Sequence, residues 1–322
     1  MPLVAIMGSG RSGSTLLEYL LAGHLAGARA LGEVETLSIR GVRDNETCSC
    51  ARPARDCPSW RDLLTRLARD PGRGRWEAVM EERGRRLWWG LGVWCSALAH
   101  RVTGFPATAP RRLDRYAPVL AVLTALAPAT GPLIDNSKTP LHFFALAGTG
   151  RVDLRVVHLV RRPHAVVWSW KRRKHLPESG SLNWYMEPKS ALVSGSRWIF
   201  DQLMAVSYRL LYPDHPYVRV SYDELCADPD ATLARCAQAL RLPVAAAPGR
   251  PTSYHVLGGN PARFGGFGRV ELDDEWQTSL PRGIRTALAL TASPLYWLLL
   301  RQERGHDRGA AGASDPRPRL QA

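Results

Sequence analysis

The sequence predicts an α/β fold of three layers, a central parallel sheet flanked by helices, and three observations carry that expectation. Short apolar runs alternate with helical patterns along most of the chain, the signature of strands joined by crossover helices. The first run, residues 3–7, leads into a glycine-rich turn of phosphate-loop shape, from which a helix starts. The clearest run, "LRVVHLV" at 154–160, is apolar almost throughout, as a strand covered on both faces must be.

Each element follows from its local pattern. Residues 3–7 end at Gly8 and read as a buried strand. A helix is expected over 14–26, with Leu16, Leu17, Leu20 and Leu21 at helical spacing. Residues 40–59 are polar and rich in Cys and Pro, an excursion on the surface. Helical runs are expected over 60–69, 76–102 and 111–127, the second carrying Trp88, Trp89 and Trp94. Tryptophans at that spacing pack in a core more often than they line a pocket. "GPLIDNSKTP" reads as a strand running into a turn. The strand 154–160 breaks at Pro163 into the helix "HAVVWSWKRRK". A long helix around 196–211 precedes the strand-like "YVRVSY" at 217–222, and another helix follows over 223–240. Residues 306–322 are rich in Gly, Ala, Pro and Arg and are expected to be disordered. One domain over 1–305 is therefore expected.

Composition narrows the partners. The 322 residues are 45% hydrophobic and 22% charged, which suits a soluble globular chain. Lys and Arg number 43 against 29 Asp and Glu, a formal net charge of +14. Such a surplus favours an anionic partner, without choosing among nucleotide, nucleic acid, acidic glycan and membrane surface. No basic segment or cleavage site precedes the first apolar run, so a cytoplasmic chain with reduced thiols is expected. The apolar stretch at 295–300 is too short to span a bilayer. Cys48, Cys50 and Cys57 are bunched, but the C-x-C spacing is unusual for zinc and no clear fourth ligand is present. No metal is expected.

The first turn, Gly8-Ser-Gly-Arg-Ser-Gly-Ser-Thr15, follows the frame G-x-x-x-x-G-K-[ST], with Ser14 in the lysine position. Its glycines let successive N–H groups converge, and the helix start adds roughly half a positive charge. A phosphate fits there. The ammonium that reaches the β- and γ-phosphates of a triphosphate is missing, which argues against a kinase or NTPase. Arg11 instead places a cation inside the loop, beside the bridging oxygen of a bound anion, where charge develops as a group leaves.

This loop resembles the phosphosulfate loop of the sulfotransferases that use 3′-phosphoadenylyl sulfate (PAPS), whose tyrosylprotein and many bacterial members carry R-S-G-T-T. The resemblance implies that Gly10, Arg11, Ser12, Gly13, Ser14 and Thr15 hold the 5′-phosphosulfate. "RRPHAVVWS" is similar to the family's 3′-phosphate segment, R-x-P followed by a serine, which implies Arg161 and Ser169. An arginine at a strand end can fork onto a phosphate, and a helical serine can add a donor. Arg162 stands where relatives often carry Asp or Asn. "VSYDELCADPDATLARCAQALRLP" resembles the Y-E-x-L region and implies that Tyr222 lies near the nucleotide. "HVLGGNPARFGG" with "DDEW" resembles the late G-N-P-x-R-F segment and its following D-x-x-W. That match implies Asn260, and Arg263 closing over the 3′-phosphate.

For the chemistry, Glu33 in "LGEVETL" resembles the catalytic glutamate of the tyrosylprotein branch, the base for the acceptor. Glu35 would share a face with it if the segment were extended, and His142 and His158 are histidine rivals, with His158 expected in the core. "IDNSKTP" resembles the family's D-x-S-K segment, which implies Lys138 beside the sulfuryl oxygens. The resemblance implies transfer of a sulfuryl group from PAPS to a hydroxyl or amine acceptor, with 3′-phosphoadenosine 5′-phosphate (PAP) as product. A small-molecule or glycan acceptor is expected, bound by a helical insertion over 40–130, with no nucleic acid, no stable membrane insertion and an open oligomeric state. Two other readings remain: a P-loop kinase or NTPase, and a basic nucleotide- or glycan-binding protein without turnover.

Overall fold

The computed structural model describes residues 2–74, 77–78, 83–103, 117–126, 131–172, 174–175, 185–251, 253–264 and 267–301. Its centre is a five-stranded sheet of β1 (Pro2–Gly8), β2 (Arg29–Gly32), β3 (Leu133–Lys138), β4 (Asp153–Val160) and β5 (Tyr217–Ser221). The order is β2-β3-β1-β4-β5, and every neighbouring pair is parallel. The expected parallel sheet is present. Its least visible strand in the sequence is β2, four residues long and ending in glycine.

β1 lies in the middle and is buried along most of its length because both faces are covered. Leu3, Ala5 and Met7 join one core with Trp60, Phe143, Phe144 and Tyr208. Val4 and Ile6 turn to the other, with Leu17, Leu21, Leu225 and Leu240. Period-two alternation in a wholly apolar strand thus feeds two separate hydrophobic layers.

The helices that supply these layers are α1 (Ser14–His24), α2 (Arg61–Ala68), α3 (Arg83–Thr103), α4 (Ala117–Leu126), α5 (Pro140–Gly148), α6 (Pro163–Lys171), α7 (Ala191–Leu211), α8 (Tyr222–Ala227) and α9 (Pro229–Ala239). Several begin where local chemistry sets the start. Pro140 and Pro163 occupy first turns of α5 and α6, where the missing N–H costs nothing. Asp228 caps α9 by accepting from the Ala231 N–H at 3.0 Å, and Ser190 caps α7 from the Val193 N–H at 3.3 Å.

Residues from the expected 40–130 insertion pack into the first core rather than standing apart from it. Trp60, Leu64, Trp89, Val93, Val119 and Leu123 belong to it, and Trp94 donates its indole N–H to Ser207 Oγ at 3.1 Å. Trp88 is exposed. The helix expected over 111–127 is described only from 117 to 126, and the expected tail at 306–322 lies outside the described residues. No single described helix is long and apolar enough to cross a membrane.

Candidate functional site

The five strands all point the same way, so their carboxyl ends and the segments that follow them share one edge. In open α/β sheets ligands bind at that edge, where the connections diverge to the two sides. A cleft of about 390 Å³ lies there, within the size range of small-molecule sites. Its walls include Arg11 after β1, Glu33 after β2, Lys138 at the end of β3, Arg161 after β4 and Tyr222 after β5.

The first loop is shaped by two left-handed residues. Gly13, at φ 93°, precedes α1 directly, and a Cβ there would sit 2.4 Å from the Tyr222 ring. Only glycine fits. Arg11 also holds a positive φ of 71°. Its guanidinium is buried, lies 5.2 Å from the Trp170 ring, and leaves Nε and Nη1 without a protein partner. Burial, then Arg172 and Arg161, depress its pKa to about 10. Unpaired buried donors cost free energy until an acceptor arrives. Gly10, Gly13, Ser14 and Thr15 line the cleft with Arg11. Ser12 does not; it is buried near Gly8.

The second cationic cluster buttresses the first. Arg161 Nη1 donates to the Arg11 carbonyl at 3.0 Å, and its guanidinium stacks 4.3 Å over the Tyr222 ring. Nη2 donates to the Asp273 carbonyl at 3.0 Å. The Asp273 carboxylate bridges Arg161 at 3.2 Å and Arg172 at 2.6 Å. Burial alone would raise the Asp273 pKa, but Arg161 and Arg172 pull it down. A carboxylate held between two guanidiniums occupies ground that suits any oxyanion. Ser169, buried on α6, faces the same cleft, and Arg269 stands exposed on its wall. Arg162 donates to Asp223 at 2.6 Å, so the residue that breaks the family pattern ties the β4 turn to α8.

On the opposite side, Glu33 and Lys138 form an ion pair at 2.5 Å. Lys138, at φ 65°, also donates to the Asn136 carbonyl at 2.9 Å. Burial would raise the Glu33 carboxyl, but Lys138 first, then Arg40 and Arg263, hold it at about 2. Arg40 lies 3.9 Å from Glu33 and 3.1 Å from Glu46. Gly258 and Gly259, both at positive φ, carry the late segment past Glu33, and a Cβ on Gly258 would meet the Glu33 side chain at 3.0 Å.

Behind this pair lies a wholly buried carboxyl. Glu18 on α1 accepts from the Gly32 N–H at 2.7 Å and from Asn136 Nδ2 at 3.0 Å. Burial dominates, and its pKa rises to about 7. Glu18 therefore fixes the ends of β2 and β3, from which Glu33 and Lys138 project.

The fold brings most sequence-derived candidates to one cleft: Gly10, Arg11, Gly13, Ser14, Thr15, Glu33, Lys138, Arg161, Ser169, Tyr222 and Asn260 all line it. Asn260 also caps the turn at Pro261–Arg263 by accepting from the Ala262 N–H at 3.2 Å. Arg263 is not brought to the cleft wall. It is buried and donates to Glu46 at 2.5 Å, Thr47 O at 3.3 Å and Gly259 O at 3.2 Å. Glu35 does not extend beside Glu33; it is buried in the turn Val34–Thr36, its N–H donating to Ser137 Oγ at 3.0 Å. His142 pairs with Asp135 at 2.8 Å in the core. His158 is core as expected, flanked by Tyr217 at 2.6 Å and Gln202 at 2.7 Å, and burial lowers its pKa to about 3.

Sequence reading missed Arg40, Trp170, Arg172, Arg269 and Asp273. Arg172 sits in the basic run 171–174, whose local pattern names no partner, yet it pairs with Asp273 and Glu275. The D-x-x-W motif contained Asp273 but gave no sign of its partners.

A family model described as the sulfotransferase family matches residues 2–246. Among solved structures, the chain is similar to a sulfotransferase domain from the Synechococcus PCC 7002 olefin synthase. The identity is 20%, over 91% of this chain and 94% of that one, with a TM-score of 0.45. It is also similar to a sulfotransferase domain from the curacin biosynthetic pathway, at 15% identity over 90% of this chain and 97% of that one, with a TM-score of 0.48. No curated protein matches the chain.

Proposed function

The chain belongs to the sulfotransferase family, and on that premise we propose that it moves a sulfuryl group from PAPS to a small-molecule or glycan hydroxyl, or to an amine, by in-line displacement. One observation carries the reading: Arg11 holds two buried guanidinium nitrogens without protein partners, inside a loop at a helix N-terminus. Those donors fit a phosphosulfate and would be costly without one. Bound PAPS supplies the activated sulfuryl group, and PAP leaves when the sulfur–oxygen bond to the 5′-phosphate breaks.

The chain's residues divide the remaining work. Gly10, Gly13, Ser14 and Thr15 offer amide and hydroxyl donors to the 5′ end. Arg11 stabilises the charge that builds on the leaving phosphate. Arg161 and Ser169 hold the 3′-phosphate, with Arg172 beside them and Asp273 giving up its bridging place. Arg269, rather than Arg263, is positioned to cover that end. Tyr222 supports Arg161 and the loop. Lys138 turns from Glu33 toward the sulfuryl oxygens as the donor binds. Glu33, released from its strongest cation, then accepts the acceptor's proton while the nucleophile attacks sulfur. Glu18 positions both partners through Gly32 and Asn136.

Calorimetry on the wild type and Arg161→Ala, with PAP and with AMP, tests the nucleotide assignment. The wild type should prefer PAP to AMP, and the variant should lose most of that preference. An equal loss for both nucleotides would contradict the assigned role.

A further inference from the structure

Away from the cleft, Cys48, Cys50, Cys57 and His255 bring three sulfurs and one imidazole nitrogen within 4.8 Å of one another. Cys57 Sγ lies 3.6 Å from Cys48 Sγ and 3.7 Å from Cys50 Sγ. His255 Nδ1 lies 3.3 Å from Cys57 Sγ and 3.9 Å from Cys48 Sγ. These separations are too long for a disulfide, whose sulfurs stand about 2.05 Å apart. They match the edges of a zinc tetrahedron, where Zn–S near 2.3 Å and Zn–N near 2.0 Å imply about 3.8 Å between sulfurs and about 3.5 Å from sulfur to nitrogen.

We propose that these four residues bind one structural zinc ion, Cys3His. The sequence offered no fourth ligand because His255 lies 198 residues beyond Cys57; the fold supplies one, and the proposal departs from the expectation of no metal on that ground. The donor set is soft and closed, with four protein ligands and no position left for water, the pattern of structural rather than catalytic zinc. Four ligands converging on one point exclude a multi-iron cluster, which spreads its thiolates around several ions.

The surrounding backbone is built to hold that geometry. The Cys48 N–H donates to Arg52 O at 2.8 Å and the Ala51 N–H to Cys48 O at 2.9 Å, a turn in which Ala51 takes φ 65°. Cys57 follows the helical turn Ala54–Asp56. Ser49 clasps the histidine segment on both sides: its hydroxyl donates to Tyr254 O at 2.7 Å and accepts from the Val256 N–H at 2.9 Å. Trp60 donates its indole N–H to His255 O at 3.0 Å. Such outer contacts orient the ligands.

The site also has a reason to exist where it does. It cross-links the loop carrying Glu46 to the segment carrying Gly258, Gly259 and Arg263. Glu46 pairs with both Arg263 and Arg40, and Arg40 reaches Glu33. The ion therefore staples two separate stretches of chain that frame the base.

Metal analysis of the full chain, purified without a polyhistidine tag, decides the matter. One zinc per chain is expected in the wild type and in Cys95→Ser, an exposed cysteine elsewhere; Cys50→Ser and His255→Ala should lose it. Exchange with cobalt(II) should give tetrahedral d–d absorption with thiolate charge transfer, a readout on wild-type protein that holds even if the variants fail to fold. Stripping with a strong chelator should lower Tm and expose three further titratable thiols. Folded wild type with no stoichiometric metal and no cobalt signal, with iron instead, or with a disulfide among the three cysteines would overturn the assignment.

Discussion

Lys138 and Glu33 hold each other so closely that neither is free for chemistry in the unliganded protein. The carboxylate sits at about 2, far below the pKa that suits a base at neutral pH. In the proposed mechanism, proton transfer depends on drawing Lys138 away, which links base strength to donor binding. Glu33→Gln should reduce kcat by about 10²- to 10⁴-fold, the usual worth of a general base, while PAP affinity measured by calorimetry changes little. Lys138→Met should move the acid limb of kcat/KM upward by at least one pH unit, since the cation that lowers the Glu33 carboxyl most is then gone; an unmoved limb would remove Lys138 from the account. The same pair has a stability consequence with a definite sign. The folded pKa lies below the ordinary 4.5, so the pair's stabilisation is complete above that value and is lost as pH falls toward 2. Residues of this kind were legible in the sequence because each sits just after an apolar run, where strand ends place it. Arg263 was not: its guanidinium is spent on Glu46, more than two hundred residues back, and no local pattern announces such a partner.

At the scale of elements, α1 does two things: it offers its N-terminus to an anion and buries Glu18 from its second turn. With its pKa raised to about 7 against an ordinary 4.5, Glu18 stabilises the fold fully below pH 4.5 and loses that contribution as pH rises through 7. The change is on the order of 3 kcal/mol, at about 1.4 kcal/mol per pKa unit. Glu18→Gln removes the titration while keeping an acceptor for Gly32, and Asn136, whose Oδ1 has no partner, can turn to accept from the new amide. Thermal melts should find this variant matching the wild type at pH 4 and exceeding it at pH 8; a loss at pH 8 would show that the ionised carboxylate is favoured. Gly13→Ala, by contrast, drives a Cβ into the Tyr222 ring at a φ that L-residues resist. PAP binding should weaken at least tenfold, with the far-ultraviolet spectrum unchanged. The alternation of strands and helices could be read directly, since periodicity is local. The order β2-β3-β1-β4-β5 and the clasp of Ser49 on Tyr254 and Val256 could not, because both join segments distant in sequence.

The whole molecule is strongly basic, at +14, yet its central cations are not loose. Arg40, Arg161, Arg172 and Arg263 are each paired with a carboxylate, while Arg11 keeps buried donors in reserve. The net surplus draws anions toward the protein; the arrangement of these arginines selects among them. That selection is the central claim, and equilibrium binding of PAP against ATP with magnesium tests it most directly. The account predicts that PAP binds at least tenfold more tightly than magnesium ATP and that added magnesium leaves PAP affinity unchanged. Tighter binding of the triphosphate, dependent on magnesium, would contradict it.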